Sequence, residues 1–443
     1  MTDAAAAGGG ALTHRRILRV ALPIVLSNAT VPILGAVDTG VVGQLGEAAP
    51  IAAVGVGAIV LTSVYWVFGF LRMGTTGLAA QALGRGETAE MSALLSRALL
   101  IAAAAGLLLI AGQAALFWGA FRVSPATEEV EGLARSYMQI RIWSAPAAIA
   151  VYGLTGWLIA QERTVAVLAI QLAMNGANIV LDLWFVLGLG WGVEGVAAAT
   201  FLAEWGGAAL ALWFCRDAFR HPAWRDPARV FEGPRLRRML AVNTDIMIRS
   251  VLLQATFTSF LLRGGAFGDV TLAANQVLLQ FLYITAYALD GFAFAVEALV
   301  GRYFGAGDRA RLRRAVAMCF GWGAGTVAVL ALAFAAGGGG IVDLMATDPA
   351  VRAEARAYLP WMVAAPLVGV WSWMFDGVFI GATRTRDMRD MMVVSAAVYL
   401  AALLVLVPPF GNHGLWAALM ISFAARGITL GARYPALERA AGT

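Results

Sequence analysis

From residue 16 onward the chain is a succession of long apolar stretches joined by short polar links. A helix needs roughly 20 apolar residues to cross a bilayer, and about twelve stretches meet that length. They fall near 16–43, 51–80, 92–119, 135–159, 165–187 and 193–215, and then near 239–262, 270–298, 314–336, 353–380, 388–408 and 414–434. Inside lipid every backbone amide must find its partner within its own segment, so such spans are helices. The expected fold is therefore an all-α integral membrane protein. Composition agrees, with 60% hydrophobic residues and only 13% charged. Soluble domains carry about a quarter charged residues. A water-soluble fold could not hide this much apolar surface, and a bilayer removes the need.

The charges that remain narrow the function. All 32 basic residues are Arg, and there is no Lys. A P-loop needs a Lys to reach phosphates and a Schiff-base enzyme needs a Lys amine, so both are excluded. The two cysteines, Cys215 and Cys319, match no metal or redox spacing. The three histidines, His14, His221 and His413, are too dispersed for a metal site. No His-Glu-x-x-His, Gly-x-Ser-x-Gly or Cys-x-x-Cys motif is present. The net charge of +5 comes from Arg in membrane-flanking loops and does not point to nucleic acid. The first fourteen residues lack the apolar core of a cleaved signal peptide, so the first apolar segment is expected to remain as a helix.

Arg placement sets the orientation. Arg15, Arg16 and Arg19 precede span 1, Arg85 follows span 2 and Arg163 follows span 4. Seven Arg lie between 216 and 238, and further groups follow spans 8, 10 and 12. The opposite loops hold Glu47, Glu128, Glu129, Glu131, Asp269, Asp343 and Asp348. The Arg-rich side is expected to be the cytoplasm, with both termini there and the chain in a bacterial inner (plasma) membrane. Residues 216–238, with Pro222, Pro227 and Pro234, read as a cytoplasmic linker. It separates an N-terminal lobe, 1–215 with helices 1–6, from a C-terminal lobe, 239–443 with helices 7–12.

The two lobes resemble each other at an offset of about 221 residues. Gly84-Arg-Gly-Glu87 matches Gly305-Ala-Gly-Asp308, Arg135-Ser-Tyr137 matches Arg356-Ala-Tyr358, Ala145-Pro146 matches Ala365-Pro366, and Arg163-Thr164 matches Arg384-Thr385. Six spans is an even number, so both halves enter the membrane from the same side. The expectation is two six-helix bundles related by a pseudo-twofold axis along the membrane normal, an arrangement used for alternating access.

An ionisable residue at membrane depth is costly and is a functional candidate by default. Asp38 on span 1, Asp182 on span 5 and Thr200 on span 6 all fall at one level in the outer half, counting ~1.5 Å of rise per residue. Asn175, Asn178 and Asp182 recur at i, i+3 and i+7, one stripe of span 5. Thr200 and Glu204 are i, i+4 on span 6. Pro32 precedes Asp38 and favours a bend in span 1. A lone Asn or Thr in a span commonly just bonds a neighbouring helix. Two Asp at matched depth, with amide and hydroxyl oxygens around them, read instead as a cation or proton site. The second half does not repeat these acids: Ser259 and Leu403 stand 221 residues later. The coupling site is thus expected in the N-terminal lobe. Asp245 and Arg249 are i, i+4 and are expected to pair. Asp290, Glu297 and Asp376, in the cytoplasmic half of the second lobe, either attract cationic substrate or meet nearby Arg.

Several motifs together resemble one family. Pro23-Ile-Val-Leu-Ser-Asn28, Val31-Pro-Ile-Leu-Gly-Ala-Val-Asp-Thr39 and Val42-Gly43 are similar to the first helix of MATE (multidrug and toxic compound extrusion) transporters. Phe70-Leu-Arg-Met-Gly-Thr-Thr-Gly-Leu-Ala-Ala-Gln81, Leu181-Asp-Leu-Trp-Phe-Val186, Gly190-Trp-Gly-Val-Glu-Gly-Val196 and Asp376-Gly-Val-Phe-Ile-Gly-Ala-Thr-Arg-Thr-Arg-Asp387 look like its DinF-like branch. The likeness runs over nearly the whole chain. It implies export of drugs and organic cations in exchange for H⁺ or Na⁺, with no cofactor and no resident metal. Coupling residues of the family are matched here by Asp38, Asn178, Asp182 and Thr200. An Asn on the fourth helix of some members is Thr155 here, which leaves fewer oxygens for Na⁺ and favours protons. The implied partners are small-molecule cations and the lipid bilayer, and the chain is expected to act as a monomer.

On this reading the chain is no enzyme but a secondary antiporter that exports lipophilic cations. Protonation of the Asp38 and Asp182 pair would neutralise it, let span 1 bend at Pro32 and expel the substrate. The rival is a flippase of lipid-linked precursors or polysaccharide from the same superfamily. Such a protein should present cationic residues to its anionic cargo, whereas the matched-depth residues here are acidic.

Overall fold

The computed structural model describes residues 11–30, 32, 37, 40–41, 43–44, 48–123 and 126–442. These residues are helical almost throughout and include no strand. Among the described residues, nine helices lead to the middle of the chain: α1 His14–Ala29, α2 Ala48–Val67, α3 Phe70–Gly84, α4 Thr88–Ala111, α5 Gln113–Val123, α6 Glu128–Arg141, α7 Ala145–Ala160, α8 Thr164–Asp182 and α9 Gly192–Phe214. A four-residue helix, α10 Pro227–Val230, lies in the central connection. Then come α11 Gly233–Gly265, α12 Asp269–Gly305, α13 Arg309–Met345, α14 Pro349–Gly381 and α15 Thr385–Ala440.

Ten helical stretches are long and apolar enough to cross a membrane, with α2–α3 and α6–α7 each counted as one. The last of them, α15, has 56 residues. Straight, it would reach ~84 Å, nearly three times a bilayer's hydrocarbon thickness. It instead breaks at Gly411, at φ 54° and ψ −129°, just after Pro408 and Pro409. Counted as two, its halves raise the ten to eleven among the described residues, and α1, with 16 residues, is too short to be counted with them. Side chains such as Leu108, Leu262, Leu404 and Ile428 are more than 70% exposed. Water would not tolerate such a surface, but lipid does. The chain is a multi-pass membrane protein.

Packing divides the chain after Val25 and again after Met247. In the unit Leu26–Met247, α3 packs on α4 and α7, α2 on α6, and α8 on α9. Its apolar core gathers Leu61, Tyr65, Phe117, Tyr137, Ile142 and Val196. In the unit that contains Ile248–Thr443, α12, α13 and α15 all pack on α14. Its core is built from Phe260, Phe281, Phe334, Met362, Trp416 and Phe423. Here Asn275 accepts from Trp416 Nε1 at 2.9 Å and gives its amide to Asn412 at 2.8 Å, so the buried amides satisfy each other.

The repeat is legible in backbone geometry. Left-handed residues recur 221 apart as Gly86 and Gly307, Glu162 and Thr383, and Gly190 and Gly411. In the first two pairs each residue closes a helix C-terminus in the same way. Glu87 N–H bonds to Ala82 O and Asp308 N–H to Tyr303 O, both at 2.9 Å. Arg163 N–H reaches Leu158 O at 3.0 Å and Arg384 N–H reaches Phe379 O at 2.9 Å. Helix crossings repeat too. A Cβ on Gly156 would lie 2.4 Å from Arg72 O, and one on Gly377 would lie 2.7 Å from Ala293 O. Both residues of the second contact stand 221 after those of the first.

The central connection is ordered by the first unit. Ser96 Oγ donates to Trp224 O at 2.7 Å, and Arg97 donates to Val230 O at 2.8 Å and Arg229 O at 2.7 Å. The seventh helix starts at Gly233, six residues ahead of the predicted 239. Arg235, Arg237 and Arg238 lower the hydropathy there without breaking the helix. Arg235 finds Glu90, and Arg238 finds Gln81 at 2.8 Å.

Candidate functional site

The stripe predicted on α8 is buried. Asn175 is 5% exposed, Asn178 2% and Asp182 0%. The i, i+3, i+7 spacing turns all three to one side of the helix, and each of the two amides meets a side chain from another segment. Asn175 accepts from Gln171 at 2.8 Å and donates to Thr30 Oγ1, beyond the end of α1, also at 2.8 Å. Asn178 Nδ2 donates to Thr200 Oγ1 on α9 at 3.3 Å. The Asn178 carbonyl oxygen is buried and has no hydrogen-bond partner among the described residues. The structure thus brings Asn175, Asn178, Asp182 and Thr200 together. Asp38, the other predicted acid, lies outside the described residues.

The first helix ends three residues short of Pro32. α1 stops at Ala29, and Thr30 turns back so that its N–H and its hydroxyl both bond to Ser27 O, at 3.1 and 2.7 Å. A proline three residues past Ala29 offers no N–H, and its ring crowds the carbonyl four residues earlier.

Glu204 is engaged elsewhere. It accepts from Arg141 NH2 at 3.0 Å and from Ser144 Oγ. Arg141 in turn donates to Tyr137 Oη at 3.1 Å, and Tyr65 donates to Arg141 O at 3.2 Å. Thr200 and Glu204 share a face of α9, yet they serve different networks. Thr155 bonds its own helix, donating to Val151 O at 2.7 Å and Tyr152 O at 3.0 Å.

Asp376 belongs to the second unit, whereas the α8 stripe belongs to the first. Its Oδ2 takes a hydrogen bond from Arg249 NH2. Of the two readings open for Asp376, the structure gives the encounter with Arg. Arg249 thus meets a carboxylate 127 residues on, a pairing that the i, i+4 spacing to Asp245 does not foretell.

Three features escaped the sequence reading. Arg141 and Arg426 lie inside predicted spans, and the rule that singled out Asp38 and Asp182 applies equally to them. The third is a π-helical segment, Leu183–Gly188, directly after Asp182. Its wider turn is common at functional sites. Gly188, Gly190 and Gly192 were its only sequence hint.

Many long apolar spans in two like halves, with amide and carboxyl groups held inside them, define a polytopic membrane transporter. The chain belongs to the MATE family: the MatE family model matches residues 23–184 and 246–407, one copy per half. It is therefore a transporter and not an enzyme. It is similar to DNA damage-inducible protein F of Escherichia coli (strain K12), at 38% identity over 435 residues, covering 95% of this chain and 92% of that one. It is 28% identical over 450 residues to the probable multidrug resistance protein NorM of Pseudomonas aeruginosa, covering 94% of this chain and 88% of that one. Among solved structures it resembles the Vibrio cholerae MATE transporter VcmN in the bent form, with a TM-score of 0.87 at 18% identity, covering 100% and 99% of the two chains. The fold and the efflux-transporter class follow from these likenesses.

Proposed function

We propose that this efflux transporter is a proton-coupled antiporter of the bacterial inner membrane, with both termini in the cytoplasm, that exports lipophilic organic cations and drugs by alternating access. The observation that carries the reading is the buried stripe Asn175, Asn178 and Asp182, tied through its amides to Thr30 and Thr200 on two neighbouring segments. A carboxylate in such surroundings lowers the energy of a cation and raises that of an anion. A proton and a cationic substrate can each neutralise the same carboxylate, so the two compete for it. Competition for one site is what an exchanger requires. Asn178, whose carbonyl oxygen is open, is suited to shift its hydrogen bond when the acid changes charge.

Asp38 is proposed as the second acid of the pair, with Pro32 as the point where span 1 bends on protonation. The name of the relative from Pseudomonas aeruginosa, a probable multidrug resistance protein, supports a drug-exporting role. The test is efflux of a dye-like aromatic cation from vesicles that contain the purified protein. Efflux that rises with an imposed proton gradient is the expected result. Failure of the protein to move any cation would overturn the proposal.

A further inference from the structure

The second unit holds a buried charge imbalance. Arg249, Asp376 and Arg426 are 6%, 5% and 2% exposed. Arg249 donates to Asp376 Oδ2. Arg426 NH2 lies 3.8 Å from that same oxygen, too far for a hydrogen bond. Arg426 instead donates to the neutral Ser372 hydroxyl at 2.9 Å and touches Met392 Sδ at 3.9 Å. Among the described residues no second carboxylate comes within salt-bridge distance of either guanidinium. One carboxylate thus faces two cations, and guanidinium does not shed its proton to relieve the excess. Among the described residues, the buried Nε–H groups of both Arg249 and Arg426 have no hydrogen-bond acceptor.

The repeat sharpens the contrast. Aligning Gly192 with Gly414 and Phe201 with Phe423 puts Glu204 opposite Arg426, and the offset of 221 puts Thr155 opposite Asp376. In the first unit the charge at this position has a counterion at hydrogen-bond distance, since Glu204 meets Arg141 at 3.0 Å. In the second unit the sign is reversed and Arg426 has none. Aromatic rings adjoin it. Arg426 Cζ lies 6.0 Å from the Phe423 ring centre, and Phe423 packs with Trp373 at 5.6 Å and Phe257 at 6.2 Å.

From this we infer that Arg249 and Arg426 form an anion subsite in the second unit that takes the carboxylate of an aromatic, amphipathic transported molecule. Two unused Nε–H donors and a net positive charge suit a planar carboxylate, and the rings suit the apolar body attached to it. The inference rests on the transporter reading and deepens its substrate class: cargo recognised here carries a carboxylate, whatever cationic group it also bears.

The test is equilibrium binding of radiolabelled 1-naphthoate, and of its neutral methyl ester, to the purified full chain in nanodiscs. Binding needs no gradient, so its failure is distinct from a failure of cation efflux. Wild-type protein should bind the acid more tightly than the ester. Arg426→Gln and Arg249→Gln should each weaken the acid at least tenfold and leave the ester unchanged, while Arg426→Lys, which keeps the charge, should stay within a few-fold of wild type. Equal affinity for acid and ester in wild type would overturn the inference, and that comparison needs no variant to fold. So would Gln variants that fold and bind the acid as wild type does, because the two Arg would then be structural only. Displacement of naphthoate by equimolar chloride or inorganic phosphate would also overturn it, by assigning the subsite to small inorganic anions.

Discussion

Glu204→Gln removes the charge that faces Arg141 while preserving the shape of the side chain. The two groups meet at 3.0 Å, with side chains 9% and 14% exposed. Two unit charges at about 4 Å attract by ~4 kcal/mol at an effective dielectric near 20. Removing one member of a buried pair, which strands the other, costs about 3–5 kcal/mol. Arg141 cannot lose its proton, and Tyr137 Oη at 3.1 Å is a neutral substitute for the lost carboxylate. Glu204 meets Arg141 with one carboxylate oxygen and Ser144 with the other, and Gln keeps a single acceptor oxygen there, so one hydrogen bond is lost along with the charge. The expected outcome is a clear fall in the melting temperature of the detergent-solubilised protein, with efflux per folded molecule close to wild type. Taking both charges away together, as Arg141→Met with Glu204→Leu, should restore most of the stability. A single variant that melts like wild type, or a double variant that melts as low as the single one, would refute this reasoning.

That pair also marks where sequence reading ends. Spans, repeat and the α8 stripe are local or periodic: length and hydropathy give the first, a constant offset the second, and the 3.6-residue turn the third. Helical spacing alone therefore groups Asn175, Asn178 and Asp182. Arg141 with Glu204, and Arg249 with Asp376, are pairings across 63 and 127 residues. No period relates such positions, and only helix packing decides which charges meet. Glu204 accordingly reads, in sequence, as a companion of Thr200 on one helix face, whereas its contacts lie on α6 and at Ser144. Family likeness places Thr155, yet its hydroxyl turns back to its own helix, an option open to Thr in any span. The π-helical segment after Asp182 has no reliable sequence signal, because it adds one residue to a turn without altering the apolar pattern.

Gly156→Ala and Gly377→Ala should each cost about 1–3 kcal/mol, because the added methyl would press on a carbonyl oxygen of the crossing helix. Melting curves check this, and a wild-type midpoint for either would contradict the close crossings. Cys215 and Cys319 are both buried, so maleimide should label neither in native protein and both after denaturation. Rapid native labelling would contradict their packing. A reporter active only in the cytoplasm should work when fused to the C-terminus or inserted near Asp226, and periplasmic activity at either point would reverse the proposed orientation.

The central claim is that the buried acid of α8 exchanges protons for cationic substrate. The most direct measurement follows dye efflux and proton entry together, in vesicles containing purified wild-type or Asp182→Asn protein, with a proton gradient and no Na⁺. In wild type the dye should leave as protons enter, while Asp182→Asn, folded and inserted to the same extent, should move neither. Coupled efflux in Asp182→Asn at the wild-type rate, or a wild type that ignores the proton gradient and responds only to Na⁺, would contradict the claim.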